Sequence, residues 1–309
     1  MNGGNKEVTA ECLCIGDELL IGQTINTNAA WMGQELGLVG ISTMLARVVG
    51  DDRERILEAC FTVTFDIVLI TGGLGPTKDD ITKHTLCEFF GTRLVRNIEV
   101  EEHVVELFTR MGRDPLRVMQ ADMEQAMLPK DCEPLVNDRG TASGMWFERE
   151  GRVFISMPGV PYAMQAMMKG TVLARLQERF HPPVIVHRTI RTTGMGETQL
   201  AQRLGVWENG LAAERINLAY LPSPGLVKLR LSTYAGGDRT EAIERVDRQV
   251  RELYRTIPES IYGEDRQRLE AVIGGLLKER GQSLALAESC TGGYLSHLVT
   301  SVPGSSAYY

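Results

Sequence analysis

A glycine-rich turn constrains the fold of this chain more than any other segment. Residues 71–80 read Thr-Gly-Gly-Leu-Gly-Pro-Thr-Lys-Asp-Asp, and the apolar run Ile67–Ile70 precedes them. A helical pattern of apolar residues follows at Ile81, Leu86 and Phe89. This order predicts a buried strand, a tight turn and a helix. Such a unit is typical of open α/β sheets, whose ligands bind at the carboxyl ends of the strands.

The turn has two interpretations. Gly72, Gly73 and Gly75 would let backbone N–H groups approach an anion, and the next helix begins with the positive end of its dipole there. Asp79 and Asp80 then suggest a hard cation held near that anion, which indicates a metal-assisted phosphate site. Alternatively, the segment is a plain strand-to-helix turn, in which one of these two aspartates is the helix N-cap.

Two nucleotide-binding motifs are not supported. A Walker A loop ends in Gly-Lys-Ser/Thr, but here Lys78 follows Thr77. The dinucleotide fingerprint needs a third glycine, and Lys78 stands at that position. The sequence therefore supports neither a P-loop ATPase nor a Rossmann dehydrogenase.

Composition limits the classes of partner. The chain has 309 residues, 43% hydrophobic and 24% charged, which is typical of a globular protein of two or three domains. The net charge of −7 argues against a general nucleic-acid-binding surface. No apolar run reaches membrane-spanning length, and the N-terminus lacks the apolar core of a signal peptide. We expect neither a nucleic acid nor a membrane as partner.

The cysteines and histidines indicate a reducing compartment and no zinc site. The six cysteines contain no C-x-x-C pair, which predicts reduced thiols and a cytoplasmic location. None of the five histidines falls at H-x-x-x-H spacing, so zinc is not expected.

The first part of the chain repeats a strand–helix pattern. Strands are predicted at residues 8–16, 41–49 and 66–70, each followed by a helix. The order β-α-β-α-β-α implies right-handed crossovers and a largely parallel sheet. The first strand ends at Asp17 and Glu18, a second pair of carboxylates at the end of a strand.

Later segments suggest a hairpin and a domain boundary. A hairpin around residues 149–151 leads into the rigid turn Met157–Pro161. The sequence His181-Pro182-Pro183 marks the best boundary. Beyond it lies a smaller α+β pattern, and then a helix at 267–280 and a strand at 283–287.

Together these motifs resemble the CinA (competence/damage-inducible) family. The segments that match its first domain in order and spacing are Gly16–Gly22, Asn26–Asn28, the turn at 71–80 and Met157–Pro161. Residues 184–258 resemble the KH-like middle domain of the family. Ala287–Gly293 and Pro303–Ala307 resemble the opening of its nicotinamide-nucleotide amidase domain.

The resemblance implies an α/β fold in three parts. Residues 1–181 are expected to form a three-layer MoaB/MogA-like domain with a mostly parallel sheet, a fold shared with molybdopterin-binding proteins. Residues 182–262 are expected to form a small α+β KH-like domain, and 263–309 the incomplete start of the amidase domain. Glu197 stands at the last position of the nearest G-x-x-G loop and would repel phosphate, so the middle domain is expected to support structure or a homodimer.

The resemblance also implies two activities. The first domain would hydrolyse ADP-ribose to AMP and ribose 5-phosphate with a divalent metal, of which Mg²⁺ is the first expectation. The last domain would deamidate nicotinamide mononucleotide. We expect no amidase activity from this chain, because the later residues that complete that pocket are missing. The vestigial amidase positions are Ser289, Thr291, Ser305 and Ser306.

The site hypothesis assigns roles by position. Asp79, Asp80 and Asp17 would hold the metal, Asp17 and Glu18 are also candidates for the general base, and Lys78 would neutralise developing charge or is simply solvated. The expected substrate contacts are Thr24, Asn26, Asn28, Gly72, Gly73, Gly75, Gly140, Thr141, Ser143, Pro158 and Gly159.

Two other functions stay open. The shared architecture also fits a molybdopterin-binding or adenylylating protein. A non-catalytic nucleotide-binding scaffold would keep the fold without turnover. The presence of Asp17, Asp79 and Asp80 together argues against the scaffold.

Overall fold

A computed structural model describes residues 7–75, 77, 80–110, 112, 123–235 and 239–309. The chain divides into two compact units, Met1–Pro183 and Val184–Tyr309. Two of the predicted site residues, Lys78 and Asp79, lie outside the described residues.

The first unit begins with alternating strands and helices, as the sequence predicts. Its elements in chain order are β1 (Val8–Ile15), α1 (Asp17–Leu20), α2 (Thr27–Leu38), β2 (Ile41–Val49), α3 (Arg53–Phe61), β3 (Ile67–Thr71) and α4 (Thr82–Phe90). They continue with β4 (Leu94–Arg96), α5 (Ile98–Arg110), β5 (Met127–Pro129), β6 (Glu133–Leu135), β7 (Gly144–Arg149) and β8 (Arg152–Met157). A final helical segment contains α6 (Pro161–Met167), a π-helical turn (Met168–Val172) and α7 (Leu173–Phe180).

A six-stranded sheet organises this unit. Its strand order is β2-β1-β3-β8-β7-β6. The first four of these strands are parallel, while β7 is antiparallel to both β8 and β6. The predicted mostly parallel sheet and the hairpin between β7 and β8 are therefore confirmed. A separate two-stranded sheet, β4 with β5, has no counterpart in the sequence prediction.

Helices cover both faces of the six-stranded sheet. On β3, Ile67 and Leu69 pack in one apolar cluster with α2, α6 and α7. The alternate residues Val68 and Ile70 pack in a second cluster with α3, α4 and α5. Because successive side chains of a strand point to opposite faces, the continuous apolar run of β3 serves both clusters.

The second unit has an antiparallel sheet with the order β10-β11-β9-β12. Its elements are β9 (Val184–Thr193), α8 (Glu197–Leu211), β10 (Asn217–Ser223), β11 (Leu226–Ala235), α9 (Arg239–Thr256), β12 (Ile261–Glu264), α10 (Leu269–Glu279) and α11 (Tyr294–Thr300), with a short 3₁₀ turn at Ser305–Ala307. Alternate residues of β11 pack in one apolar cluster with residues of α8 and α9.

The strand predicted at 283–287 is wrong. These residues belong to no sheet in the described structure, and the N–H of Leu284 instead donates to the carbonyl oxygen of Tyr308 at 2.7 Å. The sequence shows a short apolar alternation, but a strand needs a neighbouring strand, and none lies beside it in the described ranges.

The helix caps refine the sequence interpretation. The small polar residues predict Thr27 or Asn28 as the cap of α2, but the cap is Asn26, whose side chain accepts from the N–H of Ala29. Asp52 caps α3. The preceding Asp51 is therefore available for another role.

Two further predictions can be compared with the structure. All six cysteines are free thiols. Among the described residues, every helix is too short or too polar to cross a membrane.

Glu288 anchors the start of α11. Its carboxylate accepts hydrogen bonds from the Thr291 hydroxyl at 2.7 Å, from the N–H of Leu295 at 2.9 Å and from the N–H of Ser296 at 2.8 Å. Hydrogen bonds from the hydroxyls of Ser296 and Thr291 contribute most to lowering the pKa of Glu288 from 4.5 to about 2.

We expect Glu288 to stabilise α11 in a pH-dependent way. Because its pKa is lower in the folded chain, its contribution is present above pH 4.5 and is lost as the pH falls towards about 2. The substitution Glu288→Ala should therefore speed hydrogen exchange of the α11 amides at pH 7. The exposed Glu279→Ala variant is the control, and equal exchange in both variants would contradict the anchor.

Candidate functional site

A cavity of about 460 Å³ lies at the edge of the sheet where the parallel strands end. Residues that follow β1, β2, β3 and β8 all reach it. This is the edge at which open α/β sheets bind ligands. The lining consists of Ile15, Gly16, Glu18, Leu19, Thr24–Asn28, Asp51, Thr71–Gly75, Asp80, Ala142 and Pro158–Pro161.

The backbone of the glycine turn is held in place by neighbouring strands. Gly72 donates from its N–H to the carbonyl oxygen of Met157 at 3.2 Å. Its φ is +110°, and a Cβ there would lie 2.0 Å from the carbonyl oxygen of Ile15. The N–H groups of Gly73 and Gly75 donate to no acceptor among the described residues. They are available to an anionic ligand.

Three carboxylates, those of Glu18, Asp51 and Asp80, line the cavity. Burial raises the pKa of Asp51, and the negative charges of Asp17, Glu18 and Asp80 raise it further. Asp17 itself does not line the cavity. Its N–H donates to Asp51 Oδ2 at 3.0 Å, and its Oδ1 accepts from the N–H of Asp51 at 3.2 Å. Asp17 therefore orients Asp51.

Asp80 closes the turn rather than capping the next helix. Its Oδ2 accepts from the N–H of Thr77 at 2.9 Å and also from the Thr77 hydroxyl. Helix α4 begins at Thr82, and no described side chain caps it. Asp80 is therefore not the N-cap of this helix, while Asp79, the other candidate, lies outside the described residues.

The donor chemistry of the cavity fits a divalent cation shared with a ligand. Carboxylate oxygens are the donors that Mg²⁺ prefers, and this ion usually keeps waters and substrate phosphates among its ligands. No group of three or more His, Cys, Asp or Glu side chains converges on an ion position within the described ranges. An ion here would therefore need oxygens from the ligand as well as from Asp80 or Glu18.

Asn28 provides a buried acceptor on the opposite wall. Its Nδ2 donates to the carbonyl oxygen of Gly159 at 2.7 Å, which fixes the side-chain amide. Its Oδ1 is buried, and no described protein group donates to it. A buried acceptor without a donor is costly, so this oxygen suits a hydroxyl or amino group of a ligand.

Sequence comparisons identify the domains. Residues 11–178 match a family described as probable molybdopterin binding domain, residues 187–263 match the damage-inducible protein CinA KH domain, and residues 266–309 match the CinA C-terminal domain. A CinA-like protein of Cytophaga hutchinsonii is 46% identical over 99% of this chain and 72% of its own length. The chain belongs to the CinA family.

Other similar proteins include further CinA family members. A CinA-like protein of Salinibacter ruber is 40% identical over 97% of this chain and 72% of its own length. A solved structure of the protein CinA from Thermoplasma acidophilum is 31% identical, with a TM-score of 0.49, and the match covers 54% of this chain and 96% of that one. A MoaB structure from Pyrococcus furiosus is 19% identical with a TM-score of 0.38 over 57% and 99%.

In this CinA family member, the structure brings most of the predicted first-domain residues together. The predicted residues that line the cavity are Glu18, Thr24, Asn26, Asn28, Gly72, Gly73, Gly75, Asp80, Pro158 and Gly159. Gly140, Thr141 and Ser143 are not among the lining residues, and their neighbour Ala142 lines the cavity instead.

The predicted amidase positions of the CinA C-terminal segment lie in the second unit. Thr291 holds Glu288, and Ser289 Oγ is 3.7 Å from Cys290 Sγ. Ser305 and Ser306 lie in the 3₁₀ turn. These contacts give Thr291 a structural role in addition to any chemical one.

Asp51 is the main site residue that the sequence interpretation missed. Asp51 and Asp52 precede an apolar helical pattern, and the sequence alone predicts that one of them caps this helix. However, Asp51 follows β2, which pairs in parallel with β1, so it ends at the same edge as Glu18. Combining the parallel order with the position after each strand would have identified it.

We expect that any side chain larger than that of glycine at position 72 destabilises this turn. We expect Gly72→Ala to destabilise the first unit by about 2–3 kcal/mol, because the methyl group meets the Ile15 carbonyl and the backbone is left-handed. Denaturant unfolding measures the effect. Gly37→Ala is the control, since a Cβ at Gly37 meets nothing within 4 Å, and it should be neutral or slightly stabilising. Equal stability of the two variants would contradict the packing argument.

Proposed function

We propose that the first unit hydrolyses the diphosphate of ADP-ribose to give AMP and ribose 5-phosphate, with the help of a divalent cation. The main support is one cavity that offers the N–H groups of Gly73 and Gly75, which have no acceptor among the described residues, together with the carboxylates of Glu18, Asp51 and Asp80. Its volume of about 460 Å³ is in the range of small-molecule sites.

The electrostatics of the cavity favour this proposal over a simple anion site. Glu18, Asp51 and Asp80 would repel a diphosphate, although the glycine turn would bind it. The raised pKa of Asp51 reflects both its burial and the negative charges around it. A cation between the carboxylates and the phosphates would relieve both repulsions.

The carboxylates and the backbone N–H groups of the cavity have separate roles in the proposed reaction. Water attacks one phosphorus, the bond from that phosphorus to the bridging oxygen breaks, and the bridging oxygen leaves with the other phosphate. The carboxylate of Glu18 or Asp51 accepts the proton of the water, while the N–H groups of Gly73 and Gly75 hold phosphate oxygens. A bound divalent ion would polarise a phosphoryl oxygen and lower the pKa of the water.

A second candidate is a molybdopterin-binding or adenylylating activity. The family match over residues 11–178, described as probable molybdopterin binding domain, favours it. It would use the same turn and carboxylates on a different ligand. A non-catalytic scaffold would bind nucleotide without turnover.

The homodimer, the choice of Mg²⁺ and the cytoplasmic location stay predictions.

Hydrolysis should depend on the cation and on Asp80. The 309-residue chain is incubated with ADP-ribose, with and without Mg²⁺, and AMP is measured by chromatography. We expect AMP only with the cation. Asp80→Asn should lower kcat/KM by about 100-fold or more, because the variant loses the charge that faces the cation and phosphates.

The exposed Asp131→Asn variant is the matched control and should keep full activity. ADP-ribose binding without AMP formation in the wild type would support the scaffold instead. Binding of a pterin without turnover of ADP-ribose would support the molybdopterin alternative.

Asn28 should contribute to binding of the nucleoside. Removing its buried Oδ1 in Asn28→Ala should weaken AMP binding by about tenfold, which corresponds to one hydrogen bond in a buried site. Isothermal titration calorimetry measures the affinity. Gln23→Ala, on the same loop but not among the lining residues, is the control. Unchanged AMP affinity in Asn28→Ala would show that the nucleoside does not contact this wall.

A further inference from the structure

A second cavity, of about 340 Å³, adjoins the first in the same unit. Gly75 and Asp80 line both cavities, so they form a wall that separates them. The second cavity also contacts Lys83, His84 and Gln125, which the sequence interpretation assigned to no site. Its described lining contains no Phe, Tyr or Trp side chain. The surface therefore suits a small polar group better than a base that stacks.

Lys83 is a buried cation in this cavity. The residue is 9% exposed, and its Nζ donates to Gln125 Oε1 at 3.4 Å and to the carbonyl oxygens of Glu124 and Met127 at 3.5 and 3.4 Å. All three acceptors are neutral. The negative charges of Asp80 and Glu124 act on Lys83 from the same cavity, but within the described ranges neither carboxylate forms an ion pair with Nζ. These contacts are longer than typical N–H···O hydrogen bonds, so a closer anionic partner would be favoured.

The two cavities differ in chemistry. The first contains apolar side chains, including Ile15, Leu19 and Ile25, beside its polar groups, and it suits a nucleoside. The second is smaller and contains the buried amine of Lys83 and the amide of Gln125, together with the carboxylates of Asp80 and Glu124. A diphosphate diester held at the wall between the cavities has two organic arms, one for each side.

We propose that the second cavity binds the sugar phosphate arm of the substrate, and that Lys83 donates to one of its phosphate oxygens. This inference rests on the proposed function for the reaction itself. Lys83 is then a substrate-binding residue at the sugar phosphate end of the diphosphate.

The two products of the proposed reaction, AMP and ribose 5-phosphate, test the two cavities separately in a binding experiment. AMP and ribose 5-phosphate are each titrated into the full chain in the presence of Mg²⁺. Lys83→Met should weaken ribose 5-phosphate by at least about tenfold, because it removes a charged hydrogen bond, and should change AMP affinity by less than about twofold. Asn28→Ala should have the opposite pattern.

Two controls separate a local effect from loss of folding. The exposed Lys130→Met variant removes the same charge outside both cavities and should leave both affinities unchanged. His84→Ala alters an exposed side chain of the second cavity, so it should fold and weaken ribose 5-phosphate by a few fold, about the effect of one neutral hydrogen bond. If Lys83→Met does not fold, the affinity of His84→Ala for ribose 5-phosphate decides whether the second cavity binds the sugar phosphate.

Steady-state kinetics give an independent readout. Loss of a contact that is equally strong in the ground state and the transition state raises KM for ADP-ribose and leaves kcat nearly unchanged. We expect this split for Lys83→Met. A large fall in kcat at constant KM would overturn the assignment, since it would mean that Lys83 interacts with the substrate only in the transition state.

Failure of this inference and failure of the proposed function give different results. No binding of ribose 5-phosphate to the wild type, or equal affinity in wild type and Lys83→Met, would overturn the second cavity as a sugar phosphate site, even with full turnover. Selective loss of ribose 5-phosphate affinity in Lys83→Met would support it, even if the wild type hydrolysed no ADP-ribose.

Discussion

The site depends on the parallel pairing of β1 with β2 and β3, and of β3 with β8. Parallel strands run in one direction, so the loops that follow them reach one edge of the sheet. The backbone hydrogen bonds from Gly16 to Val49 and from Gly72 to Met157 then hold two of those loops against neighbouring strands. Without this pairing, the carboxylates of Glu18 and Asp51 would have no reason to share a cavity.

Three negatively charged side chains lie close together in the cavity, whereas loops with a purely structural role would keep such charges apart. Glu18, Asp51 and Asp80 face the same space, and Asp17 binds the backbone of Asp51 from behind. On the other side of the wall, Lys83 is buried against neutral oxygens. Local rules of stability are broken on both sides of Asp80. Such violations are expected mainly at functional sites.

The sequence predicted what depends on local pattern. The run from Ile67 to Thr71 is a strand because it is apolar and bounded by glycine, and the hairpin around Gly151 follows from alternation and turn residues. The amino-terminal part of the site was predictable for the same reason, since strand ends and glycine turns are visible in the chain.

The remaining features depend on long-range pairing. Asp51 reaches the cavity only because β2 lies beside β1, and its local context is that of a helix start. The small polar residues Gly140, Thr141 and Ser143 resemble a binding loop, but their neighbour Ala142 lines the cavity instead, which the local pattern does not indicate. The segment 283–287 alternates like a strand, yet no neighbouring strand pairs with it in the described structure.

The shared wall of Gly75 and Asp80 has a consequence for how substrate preference can diverge among related chains. A substitution at Gly75 or Asp80 alters both cavities at once, so it changes the affinity of the protein for both arms of the substrate. Changes at Lys83 or Gln125 alter one cavity and leave the wall intact. Divergence towards new diphosphates is therefore easiest through residues that line only the second cavity, where one half of the ligand can be exchanged while the cleavage machinery is kept.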